Sequence, residues 1–191
     1  MKNQTTGHAK DKRKLGSLMN IPDKRDALLI TFGLHVGMRC TSELCRLKWA
    51  DVVGRDHIDL YQPKTGKTRR FLVPDALKAK ISECYEGQPL DSYIFTGRRG
   101  QSGNKPLTNC GVNKILRKLY KEHGVEFYGN DSSHAMRKTF VNTFINANGG
   151  SLEALELARD EVGHSSIKTT LIYAGISFEN KGKLLNNISY V

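Results

Sequence analysis

Gly163-His164-Ser165-Ser166-Ile167-Lys168-Thr169-Thr170-Leu171-Ile172-Tyr173 is the stretch on which the reading of this chain turns. Glycine takes left-handed backbone angles without a Cβ penalty, so Gly163 is a helix stop. Upstream of it, Ser151 caps a helix that runs to Val162. Downstream, Ser166 caps a last turn or two of helix that reaches Tyr173. The sequence therefore folds a helix, a Gly-His corner and a second short helix ending in a tyrosine.

Working back toward the N-terminus, Ser132 or Ser133 caps a helix that opens with His134 and Arg137. Met136, Phe140 and Phe144 recur on it at i, i+4, i+8 and form its core stripe. His134 and Arg137 lie three apart and share another face. Before it comes a helix carrying Val112, Ile115, Leu116 and Leu119, stopped by Gly124 and preceded by a Gly- and Arg-rich loop from Gly97 to Asn104. Asp75 to about Glu86 is a short helix. Ile58 and Leu60 alternate with polar neighbours, Pro63-Lys64-Thr65-Gly66 reads as a turn, and Arg70-Phe71-Leu72-Val73 as the return strand. Lys64 then sits at or near the tip of a β-hairpin. Asp23 caps a helix with Ala27, Leu28, Leu29, Phe32 and Val36 at helical spacing. Gly37 breaks it, Arg39 follows, and a second helix is expected from Thr41 or Ser42, burying Leu44, Leu47 and Trp49. The fold class is mainly α with one small antiparallel β-sheet (α+β). Residues 1 to 22 read as a basic flexible lead, 23 to 176 as a single domain, and 177 to 191 as a tail with Leu184, Leu185 and Ile188 at helical spacing.

Thirty Lys and Arg against nineteen Asp and Glu give a formal charge of +11 over 191 residues. Such an excess favours a polyanionic partner. No apolar run approaches the roughly 20 residues that span a bilayer, and the polar, basic first residues are not a secretory signal. Cys40, Cys45, Cys84 and Cys110 form no CxxC pair and have no histidine at zinc spacing, so they read as reduced thiols in a cytoplasmic protein. No metal and no cofactor is expected.

Attack on a phosphodiester without a metal makes specific demands. Charge grows on the two non-bridging oxygens and must be met by fixed cations. Arginine suits this, because its planar fork matches a phosphate and keeps its proton. The leaving oxygen needs an acid, and the nucleophile needs a base. Arginines, a lysine, histidines and a hydroxyl follow one another here in an order that fits.

Gly37-Met38-Arg39 with Ser42-Glu43-Leu44 resembles the first arginine box of the tyrosine recombinases, the phage integrase family. Lys64-Thr65-Gly66 resembles that family's hairpin lysine, Ser133-His134-Ala135-Met136-Arg137 its H-x-x-R box, and Gly163 to Tyr173 its G-H-(x)8-Y ending. The resemblance runs from about Arg25 to Tyr173. It implies that Arg39 and Arg137 clamp the scissile phosphate, and that His134 hydrogen-bonds the phosphate or acts as base toward the tyrosine. It also implies that His164 donates a further hydrogen bond, that Lys64 protonates the departing 5′ oxygen, and that Tyr173 attacks phosphorus to form a 3′-phosphotyrosyl bond. A site-specific recombinase or integrase acting on double-stranded DNA, as a homo-oligomer (tetramer) assembled there, is the function implied. A type IB-like topoisomerase and a non-catalytic DNA-binding protein on the same scaffold are the alternatives.

Taken singly, each residue has an ordinary reading: a solvated arginine, a turn lysine with Lys67 as its rival, a core tyrosine with a wet hydroxyl. Their joint order carries the site. Two departures stand out. Glu43 is four residues after Arg39 where most relatives have three, with Arg46 as a substitute for Arg39. The segment from Arg137 to His164 is also a few residues long, with the extra length placed around Asn148 to Glu161. Arg69, Arg70, Arg98, Arg99 and Lys105 read as DNA-backbone or solvent contacts, and Asp131 and Glu43 as partners of the cationic site. The 177 to 191 tail is expected either to dock on a neighbouring protomer or to pack as a helix on its own domain.

Overall fold

A computed structural model describes residues 7–62, 66–97 and 105–174. Seven helices and one hairpin follow in the order α1 (Lys12–Ser17), α2 (Lys24–His35), β1 (His57–Gln62), β2 (Lys67–Leu72), α3 (Asp75–Cys84), α4 (Asn109–Glu122), α5 (Ser133–Ala147), α6 (Leu152–Val162) and α7 (Ile167–Ala174). The expected mainly α fold with a two-stranded antiparallel sheet is the fold observed.

The hairpin pairs His57 with Leu72 and Gln62 with Lys67. Strand alternation puts Ile58 and Phe71, each 1% exposed, on its core face. Asp59 and Arg70 pair on the outer face at 2.8 and 2.9 Å. Helix starts follow the cap residues. The Asp23 side chain accepts from the Asp26 N–H, Thr108 from Gly111 and Ser151 from Ala154. Ser132 is the N-cap of α5, without a side-chain bond. Between Arg137 and His164 the chain completes α5, turns at Gly149 and Gly150, and forms α6.

Two apolar clusters form the interior. The larger joins Leu29, Phe32, Leu44, Phe71 and Phe95 with Ala135 and Met136. The smaller joins Phe140, Val141, Ile145, Ala158 and Val162, with Tyr173 packed at its edge. Burial of each Val, Leu, Ile, Met or Phe side chain among them contributes about 1.5–3 kcal/mol. Helix α5 belongs to both clusters, so the turn between Met136 and Phe140, which holds Arg137, lies on the seam. Gly33 lets α2 approach it closely, since a Cβ there would come within 2.8 Å of the Met136 sulfur.

Two expectations are corrected. The lead of residues 1 to 22 is not free over its described part: α1 and a 3-10 turn at Leu18–Asn20 put Leu15 and Leu18 into the main cluster at 0% exposure. Ala9 adds a bridge to Phe127, and its N–H donates to Thr139 Oγ1 at 3.0 Å. The apolar residues of this segment gain more from the core than its lysines lose. The helix expected from Thr41 or Ser42 is instead a turn followed by 3-10 turns at Leu44–Arg46 and Trp49–Asp51. Leu44, Leu47 and Trp49 are nevertheless buried as expected. Lys64, the loop residues 98–104 and the tail 177–191 lie outside the described residues. No helix among the described residues is long and apolar enough to cross a membrane.

Candidate active site

Arg39 follows Gly37, whose backbone is left-handed at φ 61° and leaves no room for a side chain. The Glu43 carboxylate reaches back across this turn. It accepts from the Arg39 N–H at 2.7 Å and from the Arg39 guanidinium at 2.7 Å. The four-residue spacing thus serves a purpose: the chain turns sharply enough that one carboxylate fixes both ends of the arginine. Glu43 is buried, whereas the Arg39 side chain stays 44% exposed and available to a ligand. Arg46 is exposed in its 3-10 turn and is not the residue so placed.

Arg137 is 3% exposed and spans two segments. One terminal nitrogen donates to the Gly37 carbonyl at 2.5 Å and the other to the Val162 carbonyl. Its Nε has no partner among the described residues. Burial, and then the nearby Arg39 charge, push its pKa down to about 10, which still leaves it charged near neutrality. Arg69 donates to Glu43 at 2.8 Å and to the Glu161 carbonyl. Two guanidiniums therefore occupy the successive carbonyls of Glu161 and Val162 at the end of α6. Those carbonyls have no intrahelical donor and carry the negative end of the helix dipole. Glu161's own carboxyl, in contrast, is pushed up to about 7 by burial, against the pull of Arg69 and Arg137.

Gly163 then takes the left-handed conformation at φ 63° and packs over Arg69. His164 Nδ1 is 3.0 Å from Thr170 Oγ1, and Thr170 is fully buried. Helix α7 is held at its far end by Asn142, whose amide donates to the Ala174 carbonyl at 2.6 Å. These ties place the Tyr173 ring edge-on to both histidines, with centroids 5.2 Å from His134 and 4.5 Å from His164. The Tyr173 hydroxyl hydrogen-bonds His134 Nε2. Lys138 Nζ lies 5.4 Å from the centre of the tyrosine ring.

Desolvation first, then the charges of Arg137, Lys138 and Arg39, push His134 down to about 4. His164 is likewise down at about 4, through desolvation and then Arg137 and Arg39. Both imidazoles are therefore neutral near pH 7. Tyr173 is raised by burial, while Arg137 and Arg39 pull in the opposite direction. A groove of about 460 Å³ opens beside the cluster, bordered by Arg39, Asn113, Arg117, Ser133, His134 and Arg137. The arrangement can hold an anion between two guanidiniums, next to a phenol and a neutral base. Among the described residues, no group of three or more His, Cys, Asp or Glu side chains is placed to hold a metal ion.

Of the six residues singled out in the sequence, Arg39, His134, Arg137, His164 and Tyr173 are brought together, and Lys64 lies outside the described residues. Asp131 pairs with Arg117 at 3.3 Å. Arg69, expected as a DNA-backbone or solvent contact, is instead 13% exposed, with both terminal nitrogens engaged inside the protein. Alternation with Phe71 was the signal for it, since both face the core. Thr170 was visible only as half of a threonine pair, and Lys138 carried no signal.

A model of the phage integrase family matches residues 10–180. The chain is 32% identical over 154 residues to the probable integrase/recombinase YoeC of Bacillus subtilis, which covers 81% of this chain and 79% of that protein. It is 27% identical over 162 residues to the tyrosine recombinase XerC of Xanthomonas axonopodis, covering 84% of this chain and 50% of the relative. It thus spans about half the length of that relative. The crystal structure of the XerH site-specific recombinase, bound to its palindromic difH substrate in a post-cleavage complex, superposes with a TM-score of 0.69 at 18% identity. That match covers 97% of this chain and 54% of XerH and shows the fold.

Proposed function

This chain belongs to the phage integrase family, and from that premise we propose that it cuts and rejoins double-stranded DNA at specific sites through a covalent bond to Tyr173. The observation that carries the reading is the hydrogen bond from the Tyr173 hydroxyl to a neutral His134, beside two arginines.

Arg39 and Arg137 receive the scissile phosphate in the groove. A free phenol has a pKa of about 10, so only roughly one in a thousand is ionised near neutrality. Burial makes Tyr173 harder still to ionise before substrate arrives. Removal of its proton must therefore accompany attack, and His134 Nε2 is the acceptor that the hydroxyl already touches. The phenolic oxygen attacks phosphorus, the bond from phosphorus to the 5′ oxygen breaks, and that oxygen takes a proton from Lys64. His164 donates to a non-bridging oxygen. The 3′-phosphotyrosyl product keeps a phosphoester bond, so rejoining by a 5′ hydroxyl needs no nucleotide cofactor.

Double-stranded DNA is the partner that the formal charge of +11 suits. Exchange between two duplexes breaks four strands, and one nucleophilic tyrosine per chain calls for four copies on the DNA, with residues 177–191 docking on a neighbour. The catalytic unit takes in residues ahead of 23, because α1 is part of the core.

A duplex nicked near the cut site tests this reading. Cleavage releases a short fragment, traps the adduct, and allows the modified residue to be mapped. An adduct on Tyr173, absent from Tyr173→Phe while DNA binding survives, is the expected result. Adducts that persist in Tyr173→Phe would sink the assignment.

A further inference from the structure

The hairpin strand β2 sends one side chain into the middle of the cationic cluster. Arg69 lies on the core face with Phe71, its guanidinium carbon 4.5 Å from the centre of that ring. Gly163 packs against it as well, for a Cβ there would sit 3.1 Å from the same carbon. One terminal nitrogen meets Glu43 Oε1 at 2.8 Å and the other meets the Glu161 carbonyl.

Glu43 Oε1 is shared. It accepts from Arg69 at 2.8 Å and from Arg39 at 2.7 Å. Without a second cation, a buried carboxylate beside Arg39 would draw that half-exposed guanidinium inward and neutralise the charge meant for a phosphate. With Arg69 in place, part of the carboxylate's field is already satisfied from behind. The Arg39 guanidinium is then held by one oxygen, and its side chain stays half-exposed at the groove.

We propose that Arg69 is a positioning residue for the cleavage reaction: through Glu43 it sets the orientation of Arg39, and through the Glu161 carbonyl it locks that arginine's frame to the helix end leading into His164 and Tyr173. The inference rests on the proposed recombinase reading. Arg69 is not among the residues that border the groove, and in this scheme it does not touch the substrate. A misplacement of about 1 Å in a reacting group costs on the order of 100-fold in rate, so a residue of this kind acts on the chemical step and leaves binding alone.

The test is single-turnover adduct formation on a nicked suicide duplex by the full chain, with DNA affinity and unfolding midpoint measured alongside. Arg69→Met should slow adduct formation about 10- to 100-fold without weakening DNA binding. Arg69→Lys keeps the charge but cannot span both acceptors, and should fall between Arg69→Met and wild type. The cycle with Arg39→Ala decides the route: if Arg69 acts through Arg39, Arg39→Ala with Arg69→Met is no slower than Arg39→Ala alone. Should Arg69→Met fail to fold, because it strands a buried carboxylate, the same cycle run with Arg69→Lys gives the answer. Variants at the wild-type rate, or losses that multiply in the double variant, would overturn the inference while leaving the recombinase reading intact. A wild-type chain that forms no adduct at all would overturn that reading and the inference with it.

Discussion

The Tyr173 hydroxyl and His134 Nε2 are hydrogen-bonded to one another across 39 positions of sequence, from the last described helix to the first turn of α5. For the phenol to donate, the imidazole must be neutral with its own proton on Nδ1. The contact is thus a proton path already in place before DNA binds. Replacement by His134→Ala should slow single-turnover adduct formation by about 10²–10⁴-fold, the usual worth of a positioned base, with DNA affinity little changed. A loss smaller than about tenfold would remove His134 from the proton path.

In the free protein, the imidazoles of His134 and His164 should titrate near pH 4 rather than near 6.5, read as pH-dependent NMR shifts of the ring protons. The folded-state values lie below the unfolded one, so the unfolded chain binds more protons between these limits. Stability attributable to both histidines is therefore complete above pH 6.5 and is lost as the pH falls toward 4. Midpoints near 6.5 for both rings would show that the burial and cationic surroundings described here are absent in solution.

Gly37→Ala should destabilise the protein by roughly 2–5 kcal/mol, the sum of a left-handed non-glycine backbone and an overpacked contact. The added methyl would lie 2.5 Å from the Phe140 ring. The Gly37 carbonyl also holds Arg137, so the same change should lower the cleavage rate at temperatures where the fold persists. Urea unfolding measures the first effect, and an unchanged midpoint would contradict the packing at this corner.

Much of this was legible before the structure. Ile58 and Phe71 announced a hairpin through alternation, and Ser151 with Gly163 announced both ends of α6, because period and cap chemistry are local properties. The gathering of His134, Arg137, His164 and Tyr173 was legible as motif spacing. What escaped was non-local. A six-residue helix such as α1 is too short to show a period, and the lysines around Leu15 hid it. The turn after Arg39 looked like a helix start because nothing in the sequence says that the Glu43 side chain folds back on the Arg39 backbone. Arg69 looked like a surface charge because its two hydrogen-bond partners, Glu43 and the Glu161 carbonyl, are distant in sequence.

Leu15→Ala follows from that correction. Leu15 is fully buried in the main cluster, so its truncation should cost about 2–5 kcal/mol and lower the melting temperature. A chain cut at residue 22 should be worse still. If either behaves like the full chain in thermal unfolding, the first helix is not part of the core.

Asn142 on α5 holds the carbonyl of Ala174, one residue past the tyrosine, and Thr170 holds His164 from within the same short helix. With α7 tied to its own α5 through Asn142, the proposed reaction pairs each phenol with the arginines of the same chain. Mixing one inactive variant lacking Tyr173 with another lacking Arg137 should restore nothing, because neither defect can be repaired by the companion's intact half.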